Sequence, residues 1–151
     1  MNTERLQAAR IESVDARTIR IPLDHQTAFA TRLVSARDYG VVRVRTVDGH
    51  EGIGFCYGGS RAGSLVTQAV RELFAPMLKG QSALDVEGLW HAMYQESLLQ
   101  GRAGSVMRAL SIIDVALWDR NARSADLPLS RYLGGTLAER VPAYASGGYY
   151  L

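Results

Sequence analysis

Along the first third of the chain the apolar positions follow a two-residue rhythm, and from about residue 64 they follow a helical one. Residues 11–23 are rich in β-branched side chains, but Val14 and Ala16 fall on one parity while Ile19, Ile21 and Leu23 fall on the other. A strand with a bulge near Arg17 and Thr18 would bring both sets to one face. Residues 24–36 are small and polar without periodicity, which predicts a long loop of the kind that is functional or mobile. Residues 39–47 alternate cleanly, Val42 and Val44 against Arg43 and Arg45, as a half-exposed strand does. Asp48 and Gly49 supply a hairpin turn, and residues 52–57 return as a third strand that ends in Gly58-Gly59-Ser60.

Val66, Ala69, Val70, Leu73 and Phe74 then recur at helical spacing, bracketed by Pro76 and Gly80. Ser82 and Asp85 resemble a capping box opening a second helix with Val86, Leu89, Trp90, Met93 and Tyr94, and Gly101 and Gly104 interrupt it. A third helix, about 105–122, is apolar almost all round, so it needs cover on more than one face. Cover from a meander and two helices is expected to be partial, which predicts self-association or poor solubility. Residues 141–146 read as a short strand ending in Gly147-Gly148, and such a lone strand looks unfinished. The fold class is therefore α+β: a three-stranded antiparallel meander followed by a helical segment.

With 151 residues, 47% hydrophobic and 21% charged, the chain can build one sizeable core and has no compositional case for disorder. A formal charge of +2, without a basic block, argues against nucleic acid as a partner. No apolar run approaches the roughly 20 residues that span a bilayer, and the first residues lack a secretory pattern, so the expected location is cytoplasmic, away from membranes. Cys56 is the single cysteine and can make no internal disulfide.

Candidate chemistry is sparse. Asp114 and Asp119 share the third helix but point about 140° apart, so they cannot converge on one ion, and local hydrogen bonds or an arginine are the expected partners. His25, His50 and His91 have no ligand spacing; only His25, in the long loop with Asp24, Thr27 and Phe29, is a candidate ligand contact. Cys56 lacks a neighbouring base and reads as a buried hydrophobe. The pairs Gly52/Gly54, Gly58/Gly59, Gly134/Gly135 and Gly147/Gly148 match neither a phosphate loop nor a dinucleotide fingerprint and read as turns.

The run Ala109-x4-Asp114-x-Ala116-x-Trp118-Asp119-x2-Ala122-Arg123, then Leu127-Pro128-Leu129, Tyr132-Leu133-Gly134-Gly135 and Val141-Pro142-Ala143-Tyr144-Ala145-Ser146-Gly147-Gly148, resembles part of the enolase superfamily. It is similar to the end of the capping domain and the first barrel strand, in the mandelate racemase and muconate lactonizing enzyme branch. Two positions depart from the family's habit: Asp126 stands where glycine is common, and Cys56 where many members carry glutamate.

The resemblance implies a capping domain over residues 1–135 and, over 136–151, a linker and the first strand of a (β/α) barrel otherwise absent from this chain. It implies an N-terminal part of a Mg²⁺-dependent lyase or isomerase (an acid-sugar dehydratase, racemase or related enzyme) that removes the proton α to a carboxylate. The base and the metal ligands would lie in the missing barrel, so the chain alone is expected to bind no metal and to be inactive. Implied partners are a carboxylate or acid-sugar substrate, the barrel, and further copies in a homo-oligomer. The two lid segments of the family correspond to residues 24–36 and 57–62, which makes Phe29, Arg32, Tyr57 and His25 candidate substrate contacts, with Ser146 at the end of the barrel strand. The alternative is a free-standing binding module that reuses the capping fold; a reading frame continuing into strands with acidic ends would decide against it.

Overall fold

A computed structural model of the chain describes residues 3–29, 31–135 and 140–145. A short helix α1 (Thr3–Ala8) precedes a sheet of three antiparallel strands in the order β1 (Ile11–Phe29), β2 (Arg32–Thr46), β3 (Glu51–Tyr57). The helical half follows: α2 (Gly63–Ala69) runs through a π-helical stretch, Val70–Phe74, into α3 (Ala75–Leu78), and then come α4 (Val86–Glu96), α5 (Ser105–Ser124) and α6 (Leu129–Tyr132). The α+β meander-then-helices architecture expected from the sequence is the one observed.

One face of the sheet is buried under the helices. Val14, Ala16, Val42 and Val44 meet Val66, Phe74, Leu78, Met93, Leu110, Ile113 and Leu117 in one contiguous core. Gly52 and Gly54 lie on that face, where α5 rests directly on the backbone of β3. A Cβ at Gly52 would fall onto the carbonyl of Ala116, and one at Gly54 onto that of Ile112. Their glycines are contact points between backbones rather than the turns expected above.

The segment 24–36 is not a loop. Pairing runs continuously from Ser13↔Arg45 to Pro22↔Ala36, breaks, and resumes over Thr27↔Val34, Ala28↔Leu33 and Phe29↔Arg32. The buried face of β2 continues back through Asp38, Ala36 and Val34, small or polar residues that give alternation little hydrophobic contrast. Nor is β1 bulged near Arg17: its register shifts fall between Ile11 and Ser13 and between Pro22 and Thr27. Ile19 and Ile21 therefore stay on the opposite, outer face, each about half exposed.

Two helix boundaries also move. Pro76 lies inside the helical run, because the wider π-helical turn before it relieves the clash and the missing N–H. Asp85, not Ser82, caps α4, its Oδ1 accepting from Gly88 N at 3.2 Å, while Ser82 belongs to the preceding turn. Helix α5 is better covered than its composition suggested: Ala109, Leu110, Ile112, Ile113, Ala116 and Leu117 are all buried. The bare apolar surface is the outer face of the sheet instead, with Phe55 66% and Ile53 47% exposed. Residues 141–145, read as a strand, are exposed and join no ladder among the described residues.

At the C-terminus of α5 the chain closes a Schellman motif, Leu127 N to Ala122 O and Asp126 N to Arg123 O, both at 3.0 Å. Its left-handed position is Asp126, at φ +54°. A residue with a Cβ here occupies the conformation that favours glycine.

Candidate functional site

The two segments singled out as lids meet at one end of the sheet. After β3 the chain turns through residues 58–62, and backbone bonds fix that turn to β2: Asp38 N donates to Gly59 O (2.8 Å) and Gly58 N to Asp38 O (2.7 Å). Arg20 adds a side-chain strap, donating from Nη2 to Ser60 O at 3.2 Å while its Nε stands 3.7 Å from Asp38 Oδ1. Asp38 is 5% exposed, and Oδ1 has no hydrogen-bond partner among the described residues, so the nearby Arg20 charge is what offsets its burial. Gly58 and Gly63 pack backbone on backbone, which keeps the turn tight. From the helical side, Arg108 Nη1 donates to Tyr57 O at 2.8 Å.

Between this turn and the hairpin tip lies a cavity of about 550 Å³, lined by Thr31, Arg32, Leu33 and residues 58–62. Its charged lining residues are two guanidinium groups, Arg32 and Arg61, and no acid lines it. Such a wall suits an anion, and a planar carboxylate in particular, which a guanidinium can hold through two parallel hydrogen bonds.

Of the sequence candidates, Arg32 lines this cavity. Tyr57 borders it in sequence, but its ring packs against Tyr39 on the outer face, with centroids 5.7 Å apart. His25 is exposed on β1, beyond Pro22, and Phe29 pairs through its backbone with Arg32. Ser146 lies outside the described residues. Sequence reasoning missed Arg61, Ser60 and Thr31; the available signal was an arginine directly after the Gly58-Gly59 turn.

The acidic residues are committed elsewhere. Asp119 Oδ2 accepts from Ile53 N and from Arg123 Nε, both at 2.9 Å, which shields the edge of β3. Burial raises the Asp114 carboxyl above its usual range, a hydrogen bond from Trp118 opposing the shift. Burial likewise pushes the Cys56 thiol up, with Arg108 partly opposing it, so the thiol stays protonated at neutral pH. Among the described residues no group of three His, Cys, Asp or Glu is placed to hold a metal ion, and no helix is long and apolar enough to cross a membrane.

A second polar cluster fastens the opposite end of the sheet. Arg120, 1% exposed, donates from Nε to Thr46 Oγ1 (2.8 Å), from Nη1 to Asn121 Oδ1 (3.0 Å), and from Nη2 to Asp48. Burial alone would raise the Asp48 carboxyl, but hydrogen bonds from Thr46, Arg120 and His50 N–H outweigh it and hold the group below the ordinary range. With its donors engaged, Arg120 is a structural pin between α5 and the β2–β3 turn.

The family profile for "Mandelate racemase / muconate lactonizing enzyme, N-terminal domain" matches residues 9–134. The chain is 32% identical over 140 residues to D-galactarolactone cycloisomerase of Agrobacterium fabrum, covering 93% of this chain and 36% of that protein. It is 33% identical over 131 residues to arabinonate dehydratase of Saccharolobus solfataricus, covering 84% and 34%. The crystal structure of L-talarate/galactarate dehydratase from Salmonella typhimurium LT2, liganded with Mg and L-lyxarohydroxamate, superimposes with a TM-score of 0.80 at 28% identity, over 91% of this chain and 36% of that one. The chain thus spans about a third of the length of these relatives. Sheet order, helical half and the 126 matched residues agree: this chain belongs to the mandelate racemase/muconate lactonizing enzyme family, as its N-terminal capping domain.

Proposed function

We propose that this domain caps the substrate site of a Mg²⁺-dependent lyase or isomerase that removes the α-proton of an acid sugar. The observation that carries the reading is the cavity where the hairpin tip and the 58–62 turn meet, with Arg32 and Arg61 on its wall and no opposing acid. Relatives named as acid-sugar dehydratases and cycloisomerases support the substrate class. In this reading Arg32 and Arg61 hold a carboxylate or its flanking hydroxyls. The tip of the β1–β2 hairpin closes over the substrate, excluding water and so strengthening those contacts. The described residues do not fit a resident Mg²⁺, since Asp119 is spent on Ile53 and Arg123. Both the metal ligands and the base are proposed to lie outside this domain, and the chain by itself is expected to give no turnover.

The test is a chimera in which this domain replaces the capping domain of the Salmonella dehydratase. Mg²⁺-dependent turnover of an acid-sugar panel is expected, and Arg32→Ala or Arg61→Ala should lower kcat/KM by about tenfold or more, the worth of one charged hydrogen bond. A folded chimera whose turnover ignores both substitutions would end the proposal, as would turnover by the 151-residue chain alone.

A further inference from the structure

Toward the 58–62 turn the inner face of the sheet changes character, its rows running Ala16–Val42, Thr18–Gly40 and then the charged pair Arg20–Asp38. That pair stands outside the contiguous apolar core. Gly63, which opens α2, rests directly on this end of the sheet: a Cβ there would fall 2.7 Å from Thr18 Cγ2 and 3.0 Å from Asp38 Cβ. The pair holds two consecutive carbonyls of the turn. Asp38 N donates to Gly59 O at 2.8 Å, and Arg20 Nη2 donates to Ser60 O at 3.2 Å. The Ser60 carbonyl lies in the same planar peptide unit as the Arg61 N–H, so a bond to it fixes the plane from which Arg61 departs. Gly59, one step earlier, has φ +80° and no neighbour within 4 Å of a would-be Cβ, so no packing at that position sets the course of the turn.

We propose that Arg20 and Asp38 are positioning residues for Arg61, together fixing the turn that presents its guanidinium to the substrate. The two charges have separate tasks. Asp38 is 5% exposed, and its uncompensated burial would be costly, which draws the Arg20 guanidinium onto the end of the sheet. Arg20, its side chain 58% exposed, is thereby kept where Nη2 meets the turn. It lines none of the cavity and so acts only through the backbone it holds. Arg32 and Arg61, in contrast, have no ion-pair partner among the described residues. One guanidinium spent on the fold thus steadies another that is free for a carboxylate, and the ordering of the turn is completed on folding rather than on substrate binding. The inference rests on the proposed role of Arg61 at the substrate.

The capping-domain chimera reads the coupling. Arg20→Ala is expected to lower kcat/KM on galactarate about tenfold when Arg61 is present, to change it less than about twofold beside Arg61→Ala, and to keep its full effect beside Arg32→Ala, since Arg32 belongs to the other segment. Asp38→Asn, which releases Arg20 but keeps the backbone bonds, should follow the same pattern. An equal loss in all three backgrounds is what a merely structural role gives and would overturn the proposal. Hydrogen exchange on the 151-residue chain supplies a readout without turnover: Arg20→Ala should speed exchange of the Gly58 and Asp38 amides about tenfold or more and leave Val42 and Val44 unchanged. Unaltered protection of Gly58 and Asp38 would also overturn it. An Arg61→Ala chimera with undiminished turnover would remove the substrate-site reading itself, whereas a costly Arg61→Ala beside an Arg20→Ala without effect would remove this inference alone.

Discussion

Arg120 shows how one residue can tie distant parts of a chain together. It is buried, it is charged, and it joins α5 to a turn more than 70 positions away in sequence. Arg120→Met keeps the stem but removes the hydrogen bonds to Thr46, Asn121 and Asp48 from a buried cluster, and is expected to cost about 3 kcal/mol in denaturant unfolding. Two carboxyls should reveal themselves by opposite pH dependence. Asp48 is held low in the fold, so its contribution is present above the ordinary carboxylate range and is lost as pH falls through the lowered value. Asp114 is held high, so its ionisation costs stability as pH rises from about 4, the usual Asp value, through the raised one. Asp48→Asn should therefore destabilise at pH 7, Asp114→Asn should stabilise there, and both differences should shrink in acid. Asp126→Gly relieves the left-handed backbone and should stabilise by about 0.5 kcal/mol, the strain removed less the added chain entropy. Arg120 was legible in principle: it falls seven after Ile113 and four after Ala116, on the buried stripe of α5, but a charge on such a stripe reads as a break in the pattern.

At the level of elements, the β2–β3 hairpin could be read from Val42 and Val44 alternating with Arg43 and Arg45, because there the two faces differ sharply in polarity. The β1–β2 hairpin could not be read beyond Ile21. Its inner face carries Val34, Ala36 and Asp38, its outer face Ile19 and Ile21, and the usual equation of apolar with inward fails on a sheet whose outer face is itself apolar. The cavity exists because β2 begins at Arg32, which brings that residue to residues 58–62. Helix α5 and strand β3 are bound by the absence of side chains at Gly52 and Gly54. Gly54→Ala is expected to cost about 3 kcal/mol, at the upper end for overpacking, because the obstacle is helix backbone and cannot rotate away. Thermal unfolding of that variant checks it.

For the whole molecule, the family resemblance was carried by the run from Ala109 to Gly148, and the structure explains its landmarks as far as Gly135: Trp118 meets Tyr132 edge to face at 6.1 Å, docking α6 on α5, and the Schellman turn sits between them. The substrate cavity had no equivalent signature, since its walls come from segments about 27 residues apart whose meeting is decided by Asp38 and the pairing of β1 with β2. Hydrogen exchange should divide the molecule accordingly. Amides of the three pairs beyond the register break, Thr27↔Val34 to Phe29↔Arg32, are expected to exchange well before those between Ser13 and Pro22. Uniform protection along the hairpin would contradict that division.

The register break between Pro22 and Thr27 also bears on how such a domain can diversify. Thr27, Ala28, Arg32, Leu33 and Val34, paired beyond it, lie outside the contiguous core, so additions or losses of a few residues there alter the reach of the tip while the foundation keeps its alignment. New binding preferences can arise at that extremity as local edits, without the lineage having to solve its folding problem again.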